Sequence, residues 1–249
     1  SSRRRHTRCL SDWSSDVCSS DLSDFLLEDK FINYCNKQFS TDHYLFVENF
    51  LPQKTADEIY EWYSNKMNPD WWRQHTNRNT IFYTRPQEIE INALIAKQSI
   101  NQDESKSYLF SQTTDHHNGC PCFECKTIKP IFSSAECLKF INLITNKSFS
   151  KANKVYCRKI GNGDFICSDN KIYHNAILQF SYCITKKWSL NWGGLKIILD
   201  SNDDINYPEV PSYNSLILKG HKELSKTNLV TPVGEKITEK QYEIFGFFE

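Results

Sequence analysis

Six strand-like runs follow one another at short intervals from residue 154 to residue 248: KVYCRKI, AILQFSYCIT, LKIILD, SLILKG, NLVTPV and YEIFGFF. Gly, Asn, Asp and Pro lie between them. Short apolar strands separated by turn residues must bury one face of their sheet against another layer, so this half predicts a sandwich or barrel. The half before it reads differently. HYLFVENFLP (43–52) alternates and stops at a proline, which predicts a strand over 44–49. Thr55 and Glu58 have the spacing of a capping box, and Ile59, Trp62 and Tyr63 recur at helical spacing, with Pro69 ending the helix or its turn. A strand over 77–83, a short helix after Pro86 carrying Ile91, Leu94 and Ile95, and a strand over 108–111 follow. Ser133 and Glu136 form a second capping box, before a helix whose apolar face is Cys137, Leu138, Ile141 and Ile144. The pattern is α+β, with helices covering a strand-rich C-terminal half.

Residues 1–22, SSRRRHTRCLSDWSSDVCSSDL, stand apart from this pattern. The run from Asp12 to Leu22 back-translates into one frame of a common short-read sequencing adapter. The segment therefore reads as an artefact and not as part of the fold. The only methionine is Met67, so the chain is expected to begin mid-gene, and the lack of a leader in it proves nothing. Residues 23–249 then read as one domain, with helical support and a Cys-rich loop over 23–150 and the barrel core over 151–249.

Lys+Arg and Asp+Glu balance at 30 each, so no net charge argues for a nucleic-acid or membrane partner. No apolar run approaches the roughly 20 residues that span a bilayer. Ten cysteines are present, and Cys9 and Cys18 fall in the excluded segment. Of the others only Cys120, Cys122 and Cys125 cluster, which is not the framework of a small secreted disulfide protein. A reducing, cytoplasmic compartment is the expectation.

The C-terminal strands carry a word order. GDF (163–165) is followed by ITKKWSLNWGGLKIIL (184–199), PSYNSLIL (211–218), NLVTPV (228–233) and YEIFGFF (242–248). This order, with the VENFLP opening, the first capped helix, the Cys-rich loop and a helix just before the barrel, resembles the prolyl 4-hydroxylase-like branch of the iron and 2-oxoglutarate dioxygenases. The resemblance covers nearly everything after residue 40, and its most specific part is the W-x-x-x-W-G-G segment from Trp188 to Gly194 with P-x-x-N-x-L behind it. It implies a double-stranded β-helix, a jelly-roll or cupin-like barrel with the N-terminal helices packed on one sheet. It also implies Fe(II) held by two histidines and a carboxylate, with 2-oxoglutarate chelating the open face and its far carboxylate paired with a basic residue on the last strand.

Carried over position by position, that chemistry is missing. Counting from GDF, the first iron histidine falls at Asp169 and its partner aspartate at Lys171. The distal histidine falls at Asn228, and the 2-oxoglutarate arginine at Gln241, with Lys240 beside it. Lys171 would place a cation where a dication binds, a repulsion of roughly several kcal/mol in a partly buried site. A shifted register, with Asp169, His174 and His221 as ligands, is the alternative. Two functional expectations follow. In the first, the chain is a dioxygenase-fold pseudoenzyme that binds a protein or peptide partner. In the second, it is an active oxidoreductase that hydroxylates a prolyl or related side chain with a non-standard ligand set.

The segment from His116 to Cys125 packs five candidate metal ligands. Cys120, Cys122 and Cys125, with His117 or His116 as the fourth, have the chemistry of a closed tetrahedral zinc site, although C-x-C-x-x-C is not a standard finger spacing. Packing thiols are the alternative. Trp62 and the run Asp70 to Arg73 suggest either a substrate groove or aromatic core. Lys186 and Lys187 read as a solvated turn, and Asn214 as a structural turn residue.

Overall fold

The computed structural model describes residues 22–76, 80–82, 108–113, 120–166, 177–199, 205–220 and 228–249. Its strands in chain order are β1 (Tyr44–Glu48), β2 (Trp72–Thr76), β3 (Thr80–Phe82), β4 (Tyr108–Thr113), β5 (Ala152–Ile160), β6 (Phe165–Ile166), β7 (Leu178–Cys183), β8 (Lys196–Leu199), β9 (Ile205–Glu209), β10 (Ser215–Gly220), β11 (Asn228–Val230) and β12 (Gln241–Phe248). They pair antiparallel along the path β1-β10-β7-β12-β5-β4-β6-β11-β8-β9, and β2 joins β3 to β4. The path curls on itself. Lys196 of β8 reaches Glu243 of β12, and Glu209 of β9 reaches Lys219 of β10, so strands far apart along the path face one another. The result is the expected squashed jelly-roll barrel.

The period of two explains which residues face where. Leu45 and Val47, Leu178, Phe180 and Tyr182, Leu216 and Leu218, and Tyr242, Ile244 and Phe248 share one face of the β1-β10-β7-β12-β5 leaf. They join the main apolar core with residues of α1 (Asp29–Asp42), α2 (Gln53–Glu61), α3 (Lys129–Ile131) and α4 (Ala135–Thr145). Phe132 stacks on Phe180 at 4.5 Å between ring centres, and Phe140 and Phe50 close the same layer. The opposite face, with Ser181, Cys183, Ile217, Lys219, Gln241, Glu243 and Phe245, turns to the barrel interior. Among the described residues, Phe110, Ile160, Ile166, Val230 and Val233 form an apolar cluster there, with Trp188 and Ile237 against them.

Both helix starts differ from expectation. Ser134, not Ser133, caps α4, its Oγ accepting from Cys137 N at 3.2 Å. Ser133 is drawn away because its Oγ accepts from Ala152 N, at the start of β5, at 3.0 Å. The helix α2 begins before Thr55, since Ala56 N already donates to Pro52 O. Past Glu61 it widens into a π-helical turn, Trp62–Lys66. The short strands β2, β6 and β9 add to the runs read from sequence, while the helix expected after Pro86 lies outside the described residues. Leu22, at the edge of the excluded segment, is 1 % exposed and packs in the main core.

Asn214 bears out its reading as a turn residue. Its φ of 54° is a left-handed conformation that Asn tolerates. Its Oδ1 accepts from Leu51 N at 3.0 Å and from Tyr182 O–H at 2.9 Å, and its Nδ2 donates to Leu51 O at 2.7 Å. The residue is 1 % exposed, so these groups have no water to fall back on. Asn214→Ala is expected to lower unfolding free energy by about 3 kcal/mol or more in urea titration, from stranded buried partners plus the cost of a left-handed Ala.

Candidate functional site in the barrel interior

A chain of charged side chains crosses the interior. Arg158 of β5 stands 3.9 Å from Glu243 Oε2 of β12, and Lys196 Nζ of β8 binds Glu243 Oε1 at 2.6 Å. Lys196 continues to Glu209 of β9 at 4.0 Å, and Glu209 meets Lys219 of β10 at 3.3 Å. The guanidinium of Arg158 is sandwiched between the rings of Phe110 and Phe245, at 4.6 and 4.7 Å from their centres. Such contacts hold a cation in a place that bulk water does not reach.

The charge states follow from these distances. Burial pushes the Glu243 carboxyl upward, but Lys196 and Arg158 outweigh it and hold the group at about 2. Burial likewise works against the charge of Lys196, yet Glu243 and Glu209 overcome it and raise the ammonium. For Lys219 burial wins, and its pKa falls despite Glu209. On the rim, His75 stacks on Phe110 at 5.2 Å, and burial plus Arg158 bring it down to about 4, so it is neutral at physiological pH.

The glycine pair of W-x-x-x-W-G-G has a role here. Gly193 and Gly194 have φ of 77° and 65°, and a Cβ on Gly194 would lie 2.4 Å from Gln241 Nε2. With no side chain there, the Gln241 amide donates to Gly194 O at 2.8 Å, while Trp188 Nε1 donates to Gly193 O at 2.8 Å. Gln241, the residue expected from sequence at the 2-oxoglutarate arginine position, is buried and hydrogen-bonded to the chain itself. Lys240 turns elsewhere: its side chain lies over Gly161. The cavity beside Gln241, lined by Arg158, Thr185, Gly194, Lys196, Glu209 and Glu243, has a volume of about 50 Å³. Small-molecule pockets commonly hold about 300–1,000 Å³.

Of the iron positions, Asn228 opens β11 opposite Ile198 of β8. Asp169, Lys171, His174 and His221 lie outside the described residues, as do His116 and His117. Cys120, Cys122 and Cys125 come together, their sulfurs within 4.8 Å of one another. Burial and the neighbouring Cys122 push the Cys125 thiol up to about 12. Trp62 and Trp71 are partly buried against the main core, while Trp72 is 4 % exposed, packs on Tyr63 and Tyr242, and carries Lys159 Nζ over its ring at 4.3 Å. Lys186 is more than a solvated turn, since it pairs with Asp57 at 2.6 Å and lies over the rings of Tyr60 and Tyr213. Sequence reasoning passed over Arg158, Lys196, Glu209, Lys219 and Glu243. The available signal was alternation: Glu243 lies two residues after Gln241, hence on the same face.

Sequence comparison finds no matching family model and no matching curated protein. Solved structures do match. An oxidoreductase of the 2OG-Fe(II) oxygenase family from Burkholderia pseudomallei superposes with a TM-score of 0.57 at 9 % identity, over 88 % of this chain and 90 % of that one. A prolyl hydroxylase from Trichoplax adhaerens, in complex with a hypoxia inducible factor oxygen degradation domain peptide fragment, gives 0.58 at 12 % identity, over 90 % and 94 %. The likeness is one of fold, and it supports the jelly-roll barrel expected from sequence.

Glu243→Gln removes the central carboxylate and leaves buried cations behind. Equilibrium unfolding at pH 7 should show a loss of about 3–5 kcal/mol. Because the folded pKa is lowered, the carboxylate's contribution is present above the ordinary value of 4.5 and is lost as pH falls toward about 2. The stability difference between wild type and variant should therefore shrink across that window.

Proposed function

We propose that this chain is a dioxygenase-fold protein of prolyl-hydroxylase type that has lost oxygenase chemistry and acts by binding a protein or peptide partner. The observation that carries this reading is the occupied interior. Where the family resemblance calls for a cation that receives a dicarboxylate, Gln241 is bonded to Gly194 and the Glu243 carboxylate already takes Lys196 and Arg158. A second carboxylate entering a space of about 50 Å³ would meet Glu243 and would have to displace an existing pair. The donor set inherited for iron (Asp169, Lys171 and Asn228) points the same way, since an ammonium and an amide replace an anion and an imidazole. Neither 2-oxoglutarate nor Fe(II) fits these side chains. In this reading any metal the chain holds sits on its cysteines, with His117 or His116 as the fourth ligand, and a reducing, cytoplasmic compartment is proposed because the cysteines do not form a disulfide framework.

A peptide is the partner class we propose, by likeness of fold. The Trichoplax adhaerens structure holds a peptide, and we extend peptide binding to the barrel mouth here. One observation favours the second reading, an active oxygenase with relocated ligands: Arg158 and Lys196 put beside the cavity the kind of charge that a dicarboxylate pairs with. The two readings separate under anaerobic Fe(II) and 2-oxoglutarate. No visible charge-transfer band and no succinate above the metal-free control are expected. A band with stoichiometric iron, followed by succinate release in air, would establish the active enzyme and overturn the binding-protein reading.

A further inference from the structure

We propose that Cys120, Cys122 and Cys125 bind one soft d¹⁰ metal ion, zinc in the cell, with three thiolates on one face of its tetrahedron. This is independent of how the barrel is read. The three sulfurs already lie within 4.8 Å of one another, and no other group of three or more metal-ligating side chains gathers among the described residues. With metal–sulfur bonds of about 2.3 Å, thiolates on a tetrahedral face stand ~3.8 Å apart, so small side-chain rotations close the set. Thiolate donors select zinc over the hard cations magnesium and calcium. None of the three is in a disulfide.

The backbone that presents them is fixed by packing. Lys126 N donates to Cys122 O at 3.0 Å, closing the turn that leads from Cys122 into the π-helical turn Glu124–Ile128, which carries Cys125. Between the two cysteines, the Phe123 ring packs on Trp62 at 5.4 Å. Glu124, 1 % exposed, accepts from Thr113 Oγ1 of β4 at 3.1 Å, with Lys129 Nζ at 3.8 Å. Just beyond, Ile128, Ile131 and Phe132 are anchored in the main core. The folded frame therefore orders the ligands ahead of the ion, which raises affinity in a small site. A groove of about 540 Å³, lined by Cys125, Lys129, Ser133, Asn153 and Tyr156, gives the ion a path from solvent. Bound there, the ion closes residues 120–125 on themselves, beside the contacts that Glu124 makes to Thr113 of β4 and Phe123 makes to Trp62.

Full-length protein, reduced and stripped with chelator, is titrated with Co(II) and then Zn(II). One Co(II) per chain should appear with thiolate charge-transfer absorption and tetrahedral d–d bands, and one equivalent of Zn(II) should bleach it. Cys120→Ser, Cys122→Ser and Cys125→Ser should each weaken uptake at least tenfold, while Cys35→Ser should leave it unchanged. A second measurement needs no variant. Zn(II) should protect these three thiols from alkylation of the native protein, as mapped by peptide mass. Failure of the reduced protein to take up either ion overturns the site, as does uptake that leaves these three thiols unprotected.

Discussion

The barrel turns on the placement of Glu243. A carboxylate largely withdrawn from water inside the curled sheet is tolerated only if cations meet it, and Lys196 and Arg158 do so from two different strands. Once Lys196 is fixed, Glu209 has a partner, and Lys219 completes the run by joining the second strand of the path to its last. Such a chain adds little net stability compared with a well-packed apolar core. Its effect is on geometry, because any shift of one leaf against the other leaves a buried charge unmatched. Stability itself comes from the other face of the same leaf, where Phe50, Phe132, Phe140, Phe180 and Tyr182 are packed against the helices.

This division of labour explains what sequence comparison does and does not find. The helix-facing side needs residues that are apolar and of suitable volume, a condition that many sequences meet. The interior-facing side is free to change chemistry without changing the fold. A superposition at a TM-score of 0.58 with 12 % identity is what such a separation produces. The glycine pair Gly193 and Gly194 is the exception, since its left-handed backbone and the close approach of Pro232 and Gln241 exclude a Cβ at either position.

Much of the fold was legible because the strands of the C-terminal half alternate cleanly and are punctuated by turn residues. Lost were the pieces whose pattern is decided by neighbours. The strand β9 reads INYPE, and Pro208 within it argues against a strand in sequence terms; at the end of the sheet path, a residue with no N–H is tolerated. Ser133 has the right spacing for a cap but is taken by the backbone of β5, a contact that no local window contains. Within the site, the sequence singled out Gln241, which the structure shows buried and bonded to Gly194. That Glu243 recruits Lys196 and Arg158 was not legible, because those partners lie on strands distant in sequence and are matched only once the barrel closes.

The measurement closest to the core of this account is a double-mutant cycle between Glu243 and Lys196, with each replaced singly and both replaced together by methionine. If the ion-pair chain fixes the interior, the singles are strongly destabilised, the double recovers much of the loss, and the coupling is about 2 kcal/mol or more. Additive effects, with coupling below about 0.5 kcal/mol, would mean that the two charges do not meet in the folded barrel and that the interior is open to a ligand.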